Sequence, residues 1–151
     1  MKAKEFLRQL KKLDKLIENR LAEREQWFAR ATSTTAASAP ETGIRVQSSG
    51  SQQQMANAIG RCIDIEREIN AHIDRLHDEK RNIIKVIEQL EVTEYDILHK
   101  MYVGVMRKGV VHYLSFDEVA EIYDRSYSWV TTIHGVALKN VQKIIDGCEN
   151  L

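Results

Sequence analysis

Proline is nearly missing from this sequence: Pro40 is the single one in 151 residues. With a chain-breaking residue so scarce and aliphatic and charged residues plentiful, the composition favours an all-α fold. Cysteine is scarce as well. Cys62 and Cys148 lie far apart and make neither a disulfide framework nor a metal pattern, so small buried or partly buried thiols are expected. No stretch reaches the ~20 apolar residues that a membrane span needs. The charged start MKAKEFLRQLKK lacks the apolar run of a signal peptide. A cytoplasmic protein with no membrane partner is therefore expected. Net charge is absent too, because 22 basic and 22 acidic residues cancel.

Chemistry-bearing patterns are equally thin. There is no phosphate loop, nucleophile motif or paired acid. His72 and His77 are five apart, an offset that does not place them on one face of a helix, and His99, His112 and His134 show no zinc spacing. Neither an enzyme nor a cofactor or metal is expected.

What the sequence does have is uneven charge and strong helical periodicity. Residues 1–30 hold nine basic and five acidic residues, and residues 91–151 hold six and nine. Inside that acidic last third, residues 125–145 contain Arg125, Lys139 and Lys143 and no acid. A positive strip on an acidic module is an asymmetry that bears on partners.

In residues 3–30, Phe6, Leu10, Leu13, Ile17, Leu21 and Phe28 recur at helical steps with Arg24 interrupting, one apolar stripe of an amphipathic helix. Residues 31–54, ATSTTAASAPETGIRVQSSGSQQQ, have little to bury and read as a flexible connection. Residues 55–90 then carry an apolar seam at alternating steps of four and three. It runs Met55, Ile59, Cys62, Glu66, Ile69, Ile73, Leu76, Lys80, Ile83, Ile87 and Leu90. This helix must cover its seam, either against the first helix folded back antiparallel or against a second copy. Ile63, Ile65, Ile84 and Val86 widen the apolar face, so a homodimer through residues 55–90 is expected. Residues 1–90 thus read as a helical hairpin or coiled coil for oligomerisation, and residues 91–151 as a second domain.

The last third shows three further helical signals. Thr93 is placed to cap a helix from Glu94, with Ile97, Leu98, Met101 and Tyr102 inward. GVMRKGVVHYL, with two glycines and no clear period, reads as a loop or a short extended excursion. Ser115 and Glu118 in SFDE form a capping box for a brief helix over 116–123, and from Ser126 a longer one reaches about Ile145. The spacing meets the needs of a helix-turn-helix. Ala120 is small where the second helix crosses, and Asp124 tolerates left-handed backbone. Val119, Val130 and Ile133 point inward, while Arg125 stands where an aliphatic residue is usual.

LSFDEVAEIYDRSYSWVTTIHGVALKNVQKI, with TEYDILHKMYV before it, resembles region 4 of bacterial sigma factors over about residues 93–146. The whole chain resembles the small phage-encoded sigma-like late transcription regulators of the ArpU and RinA type, in AKEFLRQLKKLDKLIENR, RVQSSGS and YSWVTTIHGVALKNVQ. GVMRKGVVHY lengthens the first loop beyond the usual region-4 pattern. The resemblance implies an all-α protein whose helical hairpin is followed by a region-4-like helix-turn-helix. Its longer helix would enter the major groove of promoter DNA in a bacterial host, with host RNA polymerase as a further partner.

With Val130 and Ile133 inward, Tyr127, Ser128, Thr131 and Thr132 fall on the outward, N-terminal face of that helix and are the expected base-reading residues. Hydroxyls and thymine-methyl contacts select bases less sharply than bidentate Arg. Arg125, Lys139 and Lys143 are the expected phosphate contacts. Trp129 is expected in the core, and His134 at the surface or hydrogen-bonded in place. Two rival functions remain: a small terminase subunit for DNA packaging, and a coiled-coil adaptor of RNA polymerase that never touches DNA.

Overall fold

In the computed structural model, residues 1–36 and 49–149 are described. The chain is mostly helical: α1 (Ala3–Ala36), α2 (Ser49–Ile87), α3 (Val92–Leu98), α4 (Phe116–Tyr123) and α5 (Tyr127–Glu149). A π-helical turn, His99–Val103, follows α3, and two short strands, β1 (Val105–Arg107) and β2 (Val110–His112), precede α4.

Both long helices exceed their expected bounds. Residues 31–36 and 49–54, read from sequence as connection, are helical, and the remaining 37–48, including most of RVQSSGS, lie outside the described residues. A helix nucleated elsewhere along its length propagates into polar and alanine-rich sequence, since each further residue adds one backbone bond.

Packing divides the chain into two units, residues 15–77 and residues 1–14 with 78–151. The division drawn from sequence at residue 90 differs, because the first turns of α1 and the last turns of α2 share a core with the C-terminal elements.

In the unit of residues 15–77, Ile17, Ile69, Ile73 and Leu76 are buried. Arg24, the interruption in the first apolar stripe, donates to Asn70 Oδ1 at 3.0 Å, so it belongs to the packed face. Beyond that point the stripe and the seam are largely uncovered. Phe28, Met55, Ile59 and Ile63 are all exposed, and Glu66 faces solvent. The expectation that Phe28 lies on a buried stripe is corrected here. Cys62 is half-buried, but Cys148, in the other unit, is exposed rather than covered.

The unit of residues 1–14 and 78–151 holds most of the apolar core. Leu7 and Leu10 on α1, Ile87 on α2, and Ile97 and Leu98 on α3 are fully buried. Leu7, one step off the stripe assigned from sequence, is more buried than Phe6. Polar pairings tie the elements. Asp14 takes an ion pair from Lys80 and a 2.6 Å hydrogen bond from the Tyr113 hydroxyl. Gln142 on α5 accepts the Ala3 N–H at 2.7 Å, satisfying one of the orphan donors at the start of α1. Glu94 is buried, and both of its carboxylate oxygens accept from the Asn140 amide, at 3.1 and 3.0 Å.

Thr93 does not cap α3. The helix begins at Val92 after Glu91, which makes no side-chain cap, and its first bond, from the Tyr95 N–H to the Glu91 carbonyl at 2.8 Å, takes a donor that Thr93 would have capped. The π-helical turn carries Tyr102 inward as expected, with Met101 half-buried. Residues 105–112 are the extended alternative: an antiparallel hairpin pairing Val105 with His112, Met106 with Val111 and Arg107 with Val110. Gly104 enters it at φ 90°, where a Cβ would stand 2.7 Å from the Val111 side chain.

Candidate nucleic-acid interface

The capping box starts α4 as its sequence predicts. Ser115 Oγ accepts the Glu118 N–H at 3.3 Å, and Glu118 accepts the Ser115 N–H at 2.8 Å. Those bonds hold the Glu118 carboxyl below its usual range, with a contribution from His112. Asp124 ends the helix in left-handed backbone, φ 50° and ψ 48°. Its N–H and that of Arg125 return to the Glu121 and Ala120 carbonyls, at 3.2 and 3.0 Å. Two residues on, Ser126 Oγ accepts the Trp129 N–H at 3.1 Å and opens α5. The turn is short because the left-handed backbone of Asp124 closes one helix and the Ser126 side chain opens the next.

Behind this turn lies a cluster of Ile97, Leu114, Val119, Ala120 and Val130, with Ile133, Tyr123 and Trp129 packed on it. Val119 and Val130 are inaccessible and Ala120 is 6% exposed. Ile133 is only half-buried. Trp129 packs inward, between the Tyr123 ring at 5.6 Å and the Arg125 guanidinium at 5.7 Å.

At 3.6 residues per turn, α5 has two opposite stripes. Val130, His134, Ala137 and Val141 form the buried one. Ser128, Thr132, Lys139 and Lys143, all exposed, form the other. Tyr127, exposed at the start of α5, stands one turn before Val130 and two before His134, at the N-terminal end of the buried stripe's side, and Thr131, half-buried, lies between the two stripes. Thus the helix brings Ser128, Thr132, Lys139 and Lys143 onto one side, with Thr131 flanking them, and does not bring Tyr127 onto it, while Arg125 lies exposed in the preceding turn. Thr131 and Thr132 each donate a hydroxyl proton to the Ser128 carbonyl, at 2.9 and 2.8 Å. With its proton so engaged, each hydroxyl keeps lone pairs to accept with, and of the two side chains Thr132 is the exposed one. Lys143 reaches Asn140 Oδ1 at 3.5 Å.

Several participants have no local sequence signal. Phe116 sets its ring edge-on to Tyr127 at 5.6 Å and to His134 at 5.0 Å, fixing the exposed tyrosine from the first turn of α4. His134 is buried and hydrogen-bonded, with Nε2 3.1 Å from the Tyr102 hydroxyl. Burial pushes its pKa down, with help from Lys4, so the neutral ring is favoured. Burial pushes the Tyr102 phenol up, which keeps its proton available to the imidazole. Tyr123 donates to Asp96, which also pairs with Lys100. Burial and that carboxylate push the Tyr123 phenol up to about 12. For Asp96, burial acts upward, but the hydrogen bonds from Lys100 and Tyr123 outweigh it and hold the carboxyl low.

Among the described residues no group of three metal-ligating side chains converges, and no helix is long and apolar enough to cross a membrane. No family model matches the chain, and no curated protein or solved structure matches it either.

Proposed function

We infer that the chain is a DNA-binding transcription regulator of phage or prophage origin, with α4 and α5 acting as a helix-turn-helix of sigma region-4 type. The single observation that carries this reading is the two-sided α5. Its buried stripe is seated on α4 through Val119, Ala120 and Val130, and its opposite stripe is exposed hydroxyls followed by lysines. Hydroxyl and methyl groups suit base edges, and the lysines suit phosphates. RNA polymerase of the host is the partner that sigma-like promoter binding would require.

The test uses a duplex selected from random sequence by the full chain. Thr131→Ala with Thr132→Ala lowers its preference over mixed-sequence DNA by about tenfold, ~1.4 kcal/mol. Helicity is unchanged or slightly higher, since alanine is the better helix former. Equal discrimination by the variant and the parent in a fluorescence-anisotropy competition would remove these threonines from the reading face.

The α1–α2 pair is proposed to be an antiparallel helical hairpin that dimerises the protein. Arg24 with Asn70 and Asp14 with Lys80 are contacts of the kind antiparallel helices make. Since Ile69, Ile73 and Leu76 are already covered within the chain, the dimer face shrinks to the exposed Met55, Ile59 and Ile63. Light scattering is expected to give twice the chain mass, and Ile59→Glu to halve it. A closed ring of many subunits would instead favour DNA packaging, and a monomer would dispose of the dimer.

A further inference from the structure

We propose that the β1–β2 hairpin is a second DNA contact, with Lys108 at its tip gripping a backbone phosphate beside the α5 footprint. This rests on the DNA-binding reading of α5 and adds a site that the reading does not contain.

The turn is built in an expensive way. Arg107 pairs with Val110, so Lys108 and Gly109 alone form the loop, and both have positive φ, 51° and 77°. A two-residue turn of this kind favours asparagine or aspartate before glycine, because a side chain with a Cβ and no local hydrogen bond is strained there. Lysine is an unfavourable choice for the turn itself. Its contribution has to come from elsewhere, and what it adds is a positive charge at the extremity of the hairpin.

Two neighbours leave that charge outward. On α4, Glu118 is already occupied by the capping box, by His112 Nε2 at 3.1 Å and by Arg107 at 3.7 Å. Lys108 itself is exposed and forms no ion pair among the described residues. Beside it, Met106 and Val110 are 68% and 67% exposed, apolar surface that the sugar edges of a groove would cover.

The hairpin also lies where a duplex on α5 would meet it. His112 and Arg107 hold the hairpin to Glu118, and Phe116, in the same first turn of α4, holds the Tyr127 ring. One helical turn therefore joins the base of the hairpin to Tyr127, the first residue of α5. The tip extends about 10 Å beyond His112 at the rise of a strand, a reach comparable to the ~12 Å width of the major groove. Lys108 then faces phosphates flanking the groove that α5 occupies.

Lys108→Asn separates folding from binding, because asparagine suits the turn better than lysine while removing the charge. The full-length variant should melt no lower than the parent. On a mixed-sequence duplex at about 0.1 M salt it should bind about eightfold more weakly, and the slope of log affinity against log salt should fall by about 0.9, one phosphate's worth. On the selected duplex, hydroxyl-radical footprinting should lose a protected backbone patch beside the α5 footprint, and Lys108→Arg should restore it. Should Lys108→Asn match the parent in affinity, slope and footprint while the Thr131 and Thr132 double variant still loses discrimination, the hairpin contact is overturned and the α5 reading stands. If the parent has no salt-sensitive affinity for any duplex, both fall together.

Discussion

Ile97→Ala is expected to cost about 2–5 kcal/mol, the range for truncating a fully buried isoleucine where the cavity cannot collapse. Ile97 is inaccessible and sits in the cluster of Leu114, Val119, Ala120 and Val130 that seats α5 on α4. Its neighbours are held by the capping box and by the Tyr123–Asp96–Lys100 pairing, so they have little freedom to fill the void. The unit concerned has 88 residues, 14 in Met1–Asp14 and 74 in Asp78–Leu151. At that size each kcal/mol moves the midpoint by about 4–8 °C, so the thermal transition should fall by about 8 °C or more. Trp129, packed on the same cluster, reports it by fluorescence. Ile122, 52% exposed one turn away, supplies the control, since Ile122→Ala should change stability by no more than about 0.5 kcal/mol. Similar losses at the two positions would mean that the cluster does not hold α5.

What the sequence foretold and what it did not divide along chain distance. Ser115 with Glu118, Asp124, and the inward set of Val119, Ala120 and Val130 were legible because each is a relation among residues a few positions apart, where capping and helical periodicity operate. The outward placement of Ser128 and Thr132 follows from the same periodicity, whereas Tyr127 is exposed at the start of α5 on the side of Val130 and His134. Tyr102 with His134, Glu94 with Asn140, Asp14 with Tyr113, and Gln142 with Ala3 join residues 32 to 139 apart, and nothing in local spacing announces them. Phe28 was misplaced because periodicity names a face without saying how far along the helix a partner continues. Thr93 was misplaced because the first backbone bond of α3 takes a donor it would have capped. At 105–112 the sequence is compatible with either a loop or a short extended stretch, because Lys-Gly is not the usual signal for a two-residue turn.

Replacing Arg125, Lys139 and Lys143 together by alanine is expected to lower affinity for every duplex by about 500-fold at about 0.1 M salt. Each phosphate contact releases counterions worth about eightfold at that concentration, and the three together should reduce the salt slope by about 2.7. The effect should be uniform across sequences, because phosphate contacts position a helix without reading it. That distinguishes it from the threonine pair, whose loss narrows the gap between selected and mixed DNA. Stability should change little, since Lys139 and Lys143 are exposed and the Arg125 guanidinium contributes only its stacking on Trp129, worth about 0.5–1 kcal/mol at such a site. Arg125→Lys keeps the charge and loses most of the stacking, so it should retain the salt slope while lowering the midpoint slightly. The chain as a whole is neutral and residues 91–151 are acidic, so net charge supplies no attraction to DNA and the placement of the cations decides the expected affinity. A triple variant that keeps the parent's slope would mean that α5 does not lie along a duplex.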